Sequence, residues 1–371
     1  MTGCFSAYIH IPFCKSKCKY CSFVSYPDIS LKIQNGYVNA LLKEIDYFYS
    51  EEILKTVYFG GGTPSLLAVD DLIRILNRLN YNADTEITIE INPETVDFQK
   101  LCALKHIGFN RISIGVQTFD DNILKQIGRI HCADRAKKTI ENAFAAGVDN
   151  VSVDFIYGLP NQSLLAFVKD LESAAALGVT HISLYGLKIE EGCAFYKNIP
   201  QNIADDDMQA DMFLAAIETL AQNGFEHNEI SNFAKKSTTK SFESRHNLNY
   251  WNAEAYYGFG AAAHGYCKDK SLRYSNFSDI NEYINNYTDK ASRTILTKHQ
   301  QLEETVFLGF RKSCGIDVFN INKKFNIDFE HLYADVIKKY LKSGHLLKTQ
   351  NGYRLSDEGF LLSNIVLADF I

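Results

Sequence analysis

Ala7-Tyr8-Ile9-His10-Ile11-Pro12-Phe13-Cys14-Lys15-Ser16-Lys17-Cys18-Lys19-Tyr20-Cys21 joins a short β-rich run to a loop with three cysteines. Their spacing is CxxxCxxC. Three thiolates on one loop can hold three irons of a 4Fe-4S cluster and leave the fourth iron open. A zinc site is the rival reading, but zinc usually recruits a second CxxC or a His pair to close its tetrahedron. No such pair follows nearby. Scattered structural cysteines are the third reading.

Outward from this loop, β-rich runs are expected at 7–11, 56–59, 86–91, 111–116, 151–156 and 181–185. Helical patterns alternate with them at 31–50, 70–79, 97–106, 133–146, 164–177 and 206–223. Gly108, Gly147, Gly178 and Gly224 each follow a helical pattern, where a C′ glycine belongs. Six βα units in a row imply an α/β fold with a parallel sheet and helices outside. Eight would close a TIM barrel; six suggest an open, partial (β/α)6 TIM-type barrel. Cys14, Gly60-Gly61-Gly62, Glu90, Asn92, Gln117, Asp154, Tyr185 and Lys188 all fall at or near C-terminal strand ends, where βα barrels build their sites. Pro12, Pro64, Pro93 and Pro160 stiffen the same loops.

The barrel is assigned to 1–225. Residues 226–294 form a weakly periodic connecting segment rich in Asn, Tyr, Ser and Phe. Helical patterns return at 300–312, 329–343 and 357–370, with a hairpin over 346–354 turning at Asn351-Gly352. Residues 295–371 are therefore expected to form a small, mainly helical, winged-helix-like domain. That tail has ten basic and nine acidic side chains, a balance of +1, and the whole chain carries −6. Neither suits a nucleic-acid partner. Nine cysteines include Cys4, Cys102, Cys132, Cys193, Cys267 and Cys314 outside the loop, without pairing spacings. That suits a reducing compartment. The N-terminus lacks a signal-peptide pattern, and no apolar run reaches the ~18 residues of a membrane span. A soluble cytoplasmic protein is expected; peripheral membrane contact stays open.

Gly60-Gly61-Gly62 permits close backbone approach, and its N–H groups suit a carboxylate; alone it is equally a tight turn. Glu90 and Asp154 suit an ammonium or ribose hydroxyls, or an ordinary buried pairing with Arg111 or Arg129. Lys15, Lys17 and Lys19 read as solvated loop lysines, with docking of an electron donor as the alternative.

As a set, these residues resemble the radical S-adenosylmethionine superfamily. Within it they resemble the branch of oxygen-independent coproporphyrinogen dehydrogenases and HemW-type haem chaperones. The matching pieces are the run from Tyr8 to Cys14, Cys18-Lys19-Tyr20-Cys21, Gly60-Gly61-Gly62-Thr63-Pro64-Ser65, Glu90-Ile91-Asn92-Pro93, Ser113-Ile114-Gly115-Val116-Gln117 and the run from Asp154 to Pro160. The resemblance covers nearly the whole chain. It implies a 4Fe-4S cluster on Cys14, Cys18 and Cys21. It implies S-adenosylmethionine among Tyr8, Tyr20, Gly61, Gly62, Thr63, Glu90, Gln117, Arg129 and Asp154, some of which serve a second S-adenosylmethionine in the dehydrogenases. The cofactor carries the radical chemistry; the protein binds and orients it.

Two features separate the members of this branch. The dehydrogenases carry a further cysteine two residues after the motif, where this chain has Phe23. The chaperones carry HNxxYW, here His246-Asn247-Leu248-Asn249-Tyr250-Trp251, with the only tryptophan of the chain. A neutral imidazole is an ordinary axial ligand for haem iron, and aromatics stack on porphyrins. The resemblance therefore implies haem binding through His246, Tyr250 and Trp251. Ser244 stands where related chaperones often have cysteine, and His227 and His264 are rival ligands. The implied function is a haem chaperone that passes haem to haem-dependent proteins and takes electrons from a donor. The alternatives are oxidative decarboxylation of coproporphyrinogen and radical modification of haem.

Overall fold

Polar and apolar side chains alternate along the parallel strands, and alternation sends them to opposite faces of one sheet. The structure, a computed structural model, describes residues 5–371. Cys4 and most of the N-terminal stretch read for a signal peptide lie outside the described residues. Strands β1 (Ser6–Ile11), β2 (Leu54–Gly61), β3 (Tyr81–Ile91), β4 (Arg111–Gln117), β5 (Val151–Tyr157) and β6 (His181–Gly186) run parallel. Between them run α1 (Leu31–Phe48), α2 (Val69–Leu76), α3 (Phe98–His106), α4 (Ala133–Ala145) and α5 (Leu164–Ala176); α6 (Asp206–Gln222) follows β6. Every expected strand and helix of this region is present, within a few residues at its ends. Two short helices, Asp121–Gln126 and Ala194–Lys197, were not expected.

Ala7, Ile9, Val57, Phe59, Ile89, Ile112, Val153 and Ile182 are buried in one core with the apolar faces of the helices. On α1 that face is Tyr37, Val38, Leu41, Leu42 and Ile45, the spacing of a helical stripe. Each large side chain so buried is worth about 1.5–3 kcal/mol. The intervening residues, among them Tyr8, Tyr58, Glu90, Ser113, Asp154 and Ser183, line a lumen. Parallel sheets packed on both faces usually read as continuous apolar runs. These strands do not, because their inner face meets a polar chamber.

The segment 226–294 supplies both edges of the sheet. The hairpin of β7 (Phe225–Glu229) and β8 (Asn232–Lys235) adds antiparallel strands beside β6, and β9 (Tyr257–Phe259) adds a parallel strand beside β1. The order is β9-β1-β2-β3-β4-β5-β6-β8-β7, and among the described residues the sheet does not close on itself. Helix α7 (Arg245–Trp251) lies between these additions in the chain and lines the lumen with one face.

The tail begins with α8 (Lys298–Gly309). Strands Ile316–Asp317, Gly352–Leu355 and Leu346–Lys348 form a three-stranded sheet beside helices Val318–Phe325 and Ala334–Lys342, the expected winged-helix-like arrangement. The hairpin turn falls earlier than expected: Thr349 N–H donates to Gly352 O at 2.9 Å, and Gly352 is already in the strand. A Cβ there would stand 2.3 Å from Ile316 O, so glycine admits the neighbouring strand. The tail has its own core, which Phe213 of α6 joins.

Glu44 of α1 ties β9 and the segment after it to the barrel. Fully buried, it accepts hydrogen bonds from Gly260 N–H (2.8 Å), Asn276 Nδ2 (2.7 Å), Tyr283 Oη (2.7 Å) and Lys290 Nζ (2.6 Å). Removing one partner of a buried ion pair leaves the other charge uncompensated. Glu44→Gln is therefore expected to cost about 3–5 kcal/mol in urea unfolding; an unchanged midpoint contradicts this anchoring role.

Candidate functional site

The C-terminal strand ends enclose a cavity of about 400 Å³, within the roughly 300–1,000 Å³ range of ligand sites. Cys14, Cys18, Cys21, Tyr20, Gly61, Gly62, Glu90, Gln117, Arg129 and Asp154 all line it, with Asn92, Tyr185 and Lys188. Residues from five strands and the connections around their ends thus meet in one place. Two expected residues stand off this wall. Tyr8 lines the lumen beneath, and Thr63 is buried behind the wall, its Oγ1 donating to Cys14 Sγ at 3.7 Å.

Arg129 organises the cysteine side of the cavity. Its Nη1 donates to Cys18 Sγ at 3.5 Å, and its Nη2 donates to Asn92 Oδ1 at 2.7 Å and to Gly115 O. A Cβ on Gly115 would meet Nη2 at 3.0 Å, so glycine makes room for the guanidinium. Burial pushes the Cys14 and Cys21 thiols up, so taking up iron there releases protons. Among the described residues no three His, Cys, Asp or Glu side chains close on a single metal ion. The three thiols instead border a shared volume, with a cation against one of them, and that fits an anionic cluster larger than an ion. Cys14, Cys18 and Cys21 would hold it, and the chemistry such a cluster would supply is one-electron transfer.

The glycine run turns its N–H groups inward to the protein. Gly61 N–H donates to Glu90 Oε2 (3.0 Å), Gly62 N–H to Ile11 O (2.9 Å) and Thr63 N–H to Phe13 O (2.7 Å). Gly61 and Gly62 thus give their N–H groups to protein acceptors while both residues line the cavity. The run also lets β2 pass against the cysteine loop: Gly61 has φ +112°, and a Cβ there would stand 2.4 Å from the His10 ring. His10 Nε2 in turn hydrogen-bonds Val24 O (3.2 Å) on the far side of the loop. Gln117 is aimed by a β-bulge at the end of β4 and by its own left-handed backbone, φ +72°.

Neither Glu90 nor Asp154 pairs with Arg111 or Arg129 among the described residues. Glu90 accepts from Tyr58 Oη at 2.7 Å, and Asp154 from Ser113 Oγ at 3.1 Å. Burial pushes the Glu90 carboxyl up to about 7, partly offset by the Tyr58 hydrogen bond, and raises Asp154. Tyr58, Ser113 and Ser183, which hold or border these carboxylates, were missed from the sequence. Their signal was the alternation of polar residues within the strands.

His246 is not presented as an open axial ligand. It is 1% exposed, and both ring nitrogens are engaged, Nδ1 with Thr56 Oγ1 and Nε2 with Tyr250 Oη, each at 2.8 Å. Its ring stacks on Tyr58 at 5.0 Å, and burial pushes its pKa down to about 3. The N-terminus of α7 is pinned by the Glu86 carboxylate, which accepts from the N–H groups of Arg245 and His246. Trp251 lies at the other end of α7, where it packs against the tail under Arg311, 5.1 Å from its ring. His227 is also turned inward, stacked on Phe233 at 4.7 Å; His264 is exposed.

Glu90 yields a pH test. Its folded value lies above the unbound 4.5, so the stability it contributes is present in acid and is lost as pH rises from about 4.5 to about 7. Cofactor-free wild type is expected to lose stability relative to Glu90→Gln across that window in urea unfolding. Parallel pH profiles contradict it.

Comparison with known proteins follows this geometry. Residues 8–174 match the radical SAM superfamily, and residues 296–362 match the HemN C-terminal domain. The heme chaperone HemW of Lactococcus lactis subsp. lactis is 36% identical over 375 residues, covering 99% of this chain and 97% of that one. HemW of Bacillus subtilis is 34% identical, covering 99% of both. Coproporphyrinogen III oxidase (HemN) of Escherichia coli superposes with a TM-score of 0.85 at 21% identity, over 99% of this chain and 90% of that one, a likeness of fold. With the cysteine loop and cavity in place, and relatives above 30% identity spanning their full length, the chain belongs to the HemW family of the radical S-adenosylmethionine superfamily.

Proposed function

We propose that this protein is a haem chaperone, binding haem and delivering it to haem-dependent proteins. The full-length match to proteins named heme chaperone carries the reading. Phe23, 67% exposed at the cavity rim where the dehydrogenases have a further cysteine, supports it. The three cysteines would hold the 4Fe-4S cluster, and the cavity beside them S-adenosylmethionine. Lys15, Lys17 and Lys19, exposed on the cysteine loop, offer a basic rim to an electron donor. Among the described residues no helix is long and apolar enough to cross a membrane. A cytoplasmic site of action is part of the proposal.

Anaerobic cluster reconstitution followed by haem titration tests this reading. Saturable haem binding is expected, with no protoporphyrinogen formed from coproporphyrinogen when reductant and S-adenosylmethionine are supplied. Protoporphyrinogen formation overturns it in favour of the dehydrogenase. His246→Ala separates ligand from scaffold. Losing a buried side chain and two hydrogen bonds is expected to cost about 2–4 kcal/mol while the folded fraction keeps its haem stoichiometry. Loss of haem at unchanged stability restores His246 as the ligand.

A further inference from the structure

Resting on the chaperone reading, we propose that haem lies in the seam between the 226–294 segment and the tail, with its propionates on Lys312 and Lys324. The lumen around His246 holds only about 210 Å³ and is lined by hydroxyls, carboxylates and Arg111. That is below the roughly 300 Å³ at which ligand pockets begin. The larger mouth cavity belongs to the cluster. Where α7 meets α8, a hollow of about 410 Å³ is walled by Tyr250, Trp251, Tyr256 and Phe307. A second hollow of about 340 Å³, bordered by Lys268, Lys312 and Lys324, adjoins it across Trp251 and Glu254. One end of this groove is aromatic and the other cationic, the division of a porphyrin with two carboxylates on one edge.

The charges decide which cations are free to receive propionates. The acidic residues along the seam already have partners. Glu304 binds Arg273 at 2.7 Å, Glu254 binds Lys268 at 2.8 Å, and Asp317 caps a helix through Asn320 N–H at 2.8 Å. Among the described residues, Lys312 and Lys324 donate only to neutral oxygens, Asn252 Oδ1 at 2.6 Å and Thr305 Oγ1 at 3.2 Å. Exchanging a neutral acceptor for a carboxylate gives each ammonium a partner of opposite charge and a shorter, stronger hydrogen bond. Arg311 holds one face of Trp251 and Phe307 stands at 4.6 Å from the same guanidinium, so the 226–294 segment and the tail each supply part of the seat.

Titration of the full-length protein with haem and with haem dimethyl ester tests this site. Wild type is expected to prefer the free acid. Lys312→Gln with Lys324→Gln is expected to weaken free-acid binding roughly tenfold or more, leave the ester unchanged, and be rescued by arginine at both positions. Equal affinities of wild type and the double variant for free-acid haem overturn the seam site and leave the chaperone reading standing. Wild type that binds no haem overturns both.

Discussion

The fold depends on a division of labour within each parallel strand. Alternate residues are apolar and meet the helices; the residues between them are polar and meet a lumen. The helices bury enough apolar surface on the outer face that the inner face is released from packing. Tyr8, Glu90, Ser113 and Asp154 can then stand in the interior, where a filled barrel would place branched aliphatics. The lumen and the mouth cavity share Glu90, Asp154 and Tyr185, so the site is the upper end of the interior as well as a set of loops.

That interior is costly, and the surrounding contacts answer the cost. Buried polar groups need partners, and most here have them: Glu90 with Tyr58 and Gly61, Asp154 with Ser113, His246 with Thr56 and Tyr250. Arg111 Nε lacks one among the described residues. The carboxylates remain perturbed upward by burial. Helix α7 closes the side of the lumen with a neutral imidazole and tyrosine, and turns its tryptophan outward to the tail. The HNxxYW motif thus joins two tasks on one short helix: His246 braces the interior, and Trp251 meets the seam.

Much of this was legible in the sequence. The strand runs, helix periods and C′ glycines gave the βα order because each is a local signal. The cysteine spacing gave the cluster loop, and the strand-end placement of Glu90, Gln117 and Asp154 brought them to one cavity. Longer-range facts were not legible. The N–H groups of the glycine run are taken by Ile11, Phe13 and Glu90, far away in the chain. Strand β9 has three residues, too few for a period, and is held by Glu44 from more than two hundred residues earlier. A motif names the imidazole of His246 but not its burial. Tyr58 and Ser113 were visible as alternating polar residues, yet parallel strands are ordinarily read for apolar runs.

The most direct measurement is the electron paramagnetic resonance spectrum of the reconstituted, one-electron-reduced protein before and after S-adenosylmethionine is added. A cluster held by three cysteines beside the mouth cavity gives a spectrum that changes on addition, and combining Glu90→Gln with Asp154→Asn removes the change. A wild-type spectrum indifferent to S-adenosylmethionine contradicts this arrangement of cysteines and strand ends.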